Sequence, residues 1–160
     1  MHTAFWKDER GELSFFSIFV ILAINMLLAF VLLFASVRIN CINIRNAAKM
    51  ELNNVSARIY ADTFHSQREA NLDSYMQDLH ISNSYAQALE ADFIYGLEER
   101  ISLSNDDYQL SAIQLDFEQH DDKIEYIFSC QARFDITMFG RLFPPITQQI
   151  TLTGSHSTKY

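Results

Sequence analysis

The sequence predicts an α+β protein built on one long N-terminal helix, with further short helices and a C-terminal three-stranded antiparallel sheet. Three observations carry that expectation. An uncharged apolar run extends from Leu13 to Val37, a helical stripe continues beyond it without Gly or Pro, and the hydrophobic period changes from 3.6 to 2 in the last third.

The apolar run reads LSFFSIFVILAINMLLAFVLLFASV, with Asn25 its one strongly polar side chain. Crossing a hydrocarbon core takes roughly 20 helical residues, so residues 12–37 are expected to span a bilayer with some tilt. A buried core helix is seldom apolar on every face over such a length. A cleaved secretory signal has a shorter apolar region and small residues before the cut, whereas cutting after Ala35 or Ser36 would leave Leu33 or Phe34 at the −3 position. Lys7 and Arg10 flank one end, and Arg38, Arg45 and Lys49 the other, so the positive charges near the helix ends do not decide the orientation. The short N-terminal flank and the acidity of the chain beyond the apolar run favour a cytoplasmic N-terminus. From Arg38 onward there are 10 Lys/Arg against 17 Asp/Glu, a net −7. Residues 38–160 are accordingly expected to form an extracytoplasmic α+β domain of a single-pass membrane protein.

Beyond Arg38 the stripe Ile39, Ile42, Ala48, Leu52, Val55, Ile59 keeps a helical spacing. One helix from Glu12 to Tyr60, ~70 Å long at 1.5 Å per residue, is expected unless it kinks near Asn40. Leu72, Tyr75, Met76 and Leu79 form a second short stripe. Tyr85, Leu89, Phe93 and Leu97 form a third within Ser82–Arg100, with Ser82 or Asn83 as its N-cap. Gly96 weakens the last turn of that helix. Ser104-Asn105-Asp106-Asp107 marks a loop.

The period then becomes two. Ile113, Leu115 and Phe117 alternate with Gln114, Asp116 and Glu118, and Gln119-His120-Asp121-Asp122 turns the chain. Ile124, Tyr126, Phe128, Cys130, Ala132, Phe134 and Ile136 share one face of the next strand, and only Ile127 breaks the alternation. The final strand places Ile146, Ile150 and Leu152 opposite Thr147, Gln149, Thr151 and Thr153. An apolar face backed by a wet one marks a sheet covered on one side only; the amphipathic helices are the expected cover. Between these strands, the stretch Met138 to Pro145 carries Phe139, Leu142 and Phe143. These side chains either tuck under the sheet, the default, or meet a neighbouring subunit or the membrane surface.

A formal charge of −8 and a pI near 4.9, with no Lys/Arg cluster, argue against nucleic acid as a partner. The five histidines (His2, His65, His80, His120, His156) have no metal-ligand spacing, and no nucleophile elbow, phosphate loop, dinucleotide fingerprint or CxxC occurs. No catalytic, cofactor-binding or metal site is expected. An oxidising compartment would permit Cys41 to pair with Cys130 if the sheet packs low against the long helix. Otherwise Cys130 serves as a small buried hydrophobe.

The segment KDERGELSFFSIFVILAINMLLAFVLLF resembles the start of a type IV pilin or pseudopilin, where a short charged leader ends in Gly and an apolar helix begins at once. The layout is closest to the TadE-like minor pseudopilins of Tad-type pilus systems, and ITQQITLTGSHSTKY is similar to that family's last strand. The resemblance implies a cytoplasmic leader over residues 1–11, peptidase cleavage between Gly11 and Glu12, and a structural role in a Tad-type pilus or related secretion apparatus. Its implied partners are the bilayer and other pilin-like subunits or pilus assembly proteins, with Glu12, Asn25, Phe139, Leu142 and Phe143 as candidate assembly residues. The sequence departs from the family at the fifth mature position, where Phe16 stands in place of the usual Glu. A different class remains open: a membrane-tethered extracytoplasmic binding or accessory domain outside any filament.

Overall fold

The computed structural model describes residues 9–69, 82–120, 123–138 and 141–157. Its order is α1 (Glu9–Glu69), α2 (Asn83–Arg100), β1 (Gln109–His120), β2 (Lys123–Phe134), β3 (Thr137–Met138), β4 (Arg141–Leu142) and β5 (Ile146–Ser157). The chain divides into two compact units, Met1–Ile39 and Asn40–Tyr160.

With no Gly or Pro after Gly11 to interrupt its ladder, α1 is helical over 61 residues. Its first part is long and apolar enough to cross a membrane. Phe15, Phe19, Leu22, Leu27 and Phe34 are between 60% and 80% exposed. Leaving that apolar surface in water is unfavourable by about 25 cal/mol per Å², so the segment is compatible with contact to a lipid bilayer.

From Asn40 the same helix becomes one-sided. Ile44, Ala47, Ala48, Leu52, Val55 and Ile59 are buried, while Ile42, Met50 and Tyr60 on other faces are exposed. The stripe stretches over roughly four turns. The stripe expected at Leu72–Leu79 lies outside the described residues.

Ser82 caps α2 as its sequence suggests: its hydroxyl accepts from the Tyr85 amide at 3.3 Å. Leu89, Phe93 and Leu97 are buried, and the helix ends when the Ile101 amide bonds the Leu97 carbonyl at 2.9 Å. Asn105 organises the following loop, its Oδ1 accepting from the amides of Asp107 and Tyr108, both at 2.9 Å.

The main sheet has the order β1-β2-β5, antiparallel throughout. Ile124, Tyr126, Phe128, Cys130, Ala132 and Phe134 of β2 all lie on the covered face. Phe93 of α2 packs on Phe128 with ring centroids 5.1 Å apart, and Tyr108 on Phe134 at 6.2 Å. The opposite face carries Gln114, Asp116, Gln131, Arg133, Gln149 and Thr151, all exposed. Ile127, half-buried, sits there between Asp116 and Thr153. The architecture is therefore α+β, with α2 packed on one face of the sheet.

Two local features depart from simple alternation. Gly154 pairs with Tyr126, and the tyrosine ring lies where a Cβ would stand, with the hydroxyl oxygen 2.7 Å from that point; glycine lets an aromatic neighbour cover the strand. In β1 the register slips by one between Ser111 and Gln114, so Leu110 and Leu115 reach the covered face despite their odd spacing. Ala112 sits inside this bulge at φ 49°, a left-handed conformation that costs a residue with a Cβ ~1–2 kcal/mol. Its side chain is exposed, so Ala112→Gly loses no packing. The expected outcome is a gain of about 0.5–1 kcal/mol in denaturant unfolding, after allowance for glycine's extra chain entropy; a loss of that size would contradict the bulge geometry.

Candidate functional site

Gly11, Glu12 and Asn25 all fall on the first part of α1. Asn25 lies thirteen residues after Glu12 in sequence, ~20 Å along the helix, so these residues do not converge. The Asn25 amide nitrogen donates to the Ile21 carbonyl one turn back, at 3.0 Å. That bond partly satisfies the side chain within its own helix, as an apolar medium demands. Its second N–H and its carbonyl oxygen remain available to an adjoining helix.

The stretch expected to be a loop contains a small hairpin. Thr137 pairs with Leu142 and Met138 with Arg141, and the Phe143 amide donates to the Ile136 carbonyl at 2.9 Å. Phe139 lies outside the described residues. Leu142 belongs to β4, and Phe143 is 41% exposed, so its ring is not tucked into the core. Of the expected determinants, the structure groups Leu142 and Phe143 on this hairpin and leaves Gly11, Glu12 and Asn25 in the other unit.

Sequence reasoning missed the most highly organised polar cluster. Glu51 is 6% exposed, inside the interface between α1 and α2. Its carboxylate accepts from Arg100 Nε and, at 3.1 Å, from Asn54 Nδ2. Gly96 leaves the space that the carboxylate occupies, since a Cβ there would overlap Glu51 Oε2. Two further bonds link the same pair of helices: Arg58 with Asp92, and the Tyr85 hydroxyl donating to Asp62 at 2.6 Å. As partners on α1 advance from 51 to 58 to 62, those on α2 fall from 100 to 92 to 85, so the two segments run antiparallel. Burial, with the bond to Asp62, pushes the Tyr85 phenol well above its usual range, keeping it a neutral donor. From the far side of α2, Glu90 accepts the Leu115 amide at 3.4 Å, joining the helix to β1 next to its bulge.

These groups are paired with one another, and the three bonds fix the register of α1 on α2. Among the described residues, no three His, Cys, Asp or Glu side chains gather into a metal-holding group.

The class defined by these features is an α+β chain carrying one helix suited to a bilayer. Compared with known proteins, it matches no family model, no curated protein and no solved structure.

Proposed function

We propose that this protein is a non-catalytic structural subunit, a minor pseudopilin-like component of a Tad-type pilus or related secretion apparatus. The observation that carries the reading is the course of α1. An apolar segment suited to lipid continues as helix into an amphipathic segment, which is bonded to α2, the helix that packs on a three-stranded antiparallel sheet. That layout ties a small domain to an anchor through a single helix. Partners would then be the bilayer and other pilin-like subunits or assembly proteins, reached through the exposed apolar faces of α1 and the exposed Phe143. The domain after residue 37 would lie outside the cytoplasm.

Phe16 supports a second reading. Without a carboxylate at that position, a subunit lacks the charge that pilins use to register against a neighbour, and a tethered accessory or binding domain is the alternative.

Processing separates the two. A prepilin peptidase is expected to cut between Gly11 and Glu12, where a small residue before the bond lets the protease reach the backbone. The new amine would lie beside Glu12, at the positive end of α1, where a carboxylate is favoured by ~0.3–1 kcal/mol. Mass spectrometry of the chain from membranes that contain the peptidase reads the mature N-terminus directly. A start at Glu12 supports the pseudopilin reading, and an intact Gly11–Glu12 bond rejects it in favour of the tethered domain.

A further inference from the structure

The buried stripe of α1 outruns α2. The last turn of α2 ends at Arg100, paired with Glu51, yet Ala48, Ala47 and Ile44 further back along α1 are still only 0%, 7% and 0% exposed. The covered face of β2 behaves in the same way. Phe128 lies under Phe93 of α2, and the next residues on that face, Cys130 and Ala132, are buried at 1% and 0%. Past the end of α2, the stripe of α1 and the end of β2 therefore both stay buried within the same compact unit.

The residues here are small on both elements: Ala47 and Ala48 on the helix, Cys130 and Ala132 on the strand. Small side chains let a helix backbone approach a sheet closely. Cys41 stands three residues before Ile44 and seven before Ala48, hence on the same stripe, and is half-buried. Burial first, then the charge of Cys41, push the Cys130 thiol up to about 11. Both cysteines belong to the same compact unit, and the chain has no others to compete.

We propose that Cys41 and Cys130 form an oxidisable pair, closed into an intramolecular disulfide by exchange with an external disulfide, which ties α1 to the central strand. The order of steps comes from accessibility. Cys41, the more exposed thiol, loses its proton to solvent base and its thiolate attacks one sulfur of the external disulfide. A mixed disulfide forms on Cys41 and the first external thiol leaves. Cys130 then gives up its proton and attacks Cys41 Sγ, expelling the second external thiol. Two protein thiols are oxidised and one external disulfide is reduced, with no other redox agent. The resolving step needs no solvent access, so the burial of Cys130 does not block it. Burial raises both thiols, which makes exchange in the folded chain slow at neutral pH and faster in mild alkali.

The test uses the full chain, reduced and held in detergent micelles, exposed to oxidised glutathione at mildly alkaline pH. Unfolding in the presence of a maleimide then counts free thiols, and a peptide map locates any bond. The expected result is a fall from two labelled cysteines to none, with one cross-linked peptide joining Cys41 to Cys130 and a mass lower by two hydrogens. Cys130→Ala should stop at glutathione on Cys41, and Cys41→Ser should leave Cys130 free over the same interval. Three results in the wild-type chain would each overturn the proposal: two labelled thiols, glutathione remaining on Cys41, or covalent dimers through Cys41. The wild-type peptide map decides whether or not either variant folds.

Discussion

Replacing Phe128 with Asp is expected to unfold the domain beyond the apolar segment. Phe128 is fully buried at the centre of the middle strand, its ring against Phe93 and its backbone between Leu115 and Leu152. The substitution removes an aromatic contact, worth ~3–5 kcal/mol when truncated. It also places a carboxylate where none of these neighbours offers a hydrogen bond, at a further cost of several kcal/mol. Together they approach the whole stability of a small domain, about 5–15 kcal/mol. Gln131 is the control, one strand residue past Cys130 and exposed on the open face. Gln131→Asp should change stability by less than about 1 kcal/mol. Far-ultraviolet circular dichroism during urea titration distinguishes them: no folded baseline for Phe128→Asp, and a nearly unmoved midpoint for Gln131→Asp. Equal damage from both would reverse the assignment of faces.

That contrast was legible because β2 states its two faces in its own residues. Six apolar side chains from Ile124 to Phe134 alternate with residues that are polar except at Ile127, and a period of two admits one reading. Helix α2 was legible for a similar reason, with Ser82 as its cap and an i+4 stripe through Phe93. The phase shift in β1 was not. Ile113, Leu115 and Phe117 alternate properly, and only pairing with β2 reveals the extra residue that also brings Leu110 inside. Two-residue strands such as β3 and β4 are too short to show any period, so their hairpin read as a loop. The candidate assembly residues divide in the same way. Asn25 stood out as a polar side chain in an apolar run, whereas the bond that partly satisfies it depends on the Ile21 backbone, which no residue pattern displays.

Gly96 shows most clearly what local reading misses, and the expected consequence is a mutation whose sign depends on a residue in another helix. Within its own helix glycine is a weakness, costing ~1 kcal/mol against alanine. The structure supplies the reason for it, because the Glu51 carboxylate fills the space beside Gly96, held by Arg100 and Asn54. In the wild-type chain, Gly96→Ala should therefore destabilise by about 1–2 kcal/mol, since the carboxylate must leave its donors and burial then acts against it. In a Glu51→Ala background the obstruction is gone, and the same substitution should stabilise by up to about 1 kcal/mol through helix propensity alone. Arg100→Ala attacks the cluster from its other side. Losing one partner of a fully buried pair costs ~3–5 kcal/mol, but the Arg100 side chain is 37% exposed, so water can reach the vacated site. A loss of about 2–3 kcal/mol is expected on that ground. Urea midpoints for the four chains of the Gly96–Glu51 cycle measure the coupling directly. If Gly96→Ala has one sign in both backgrounds, the glycine is not there to admit Glu51, and the close approach of α1 to α2 needs another cause.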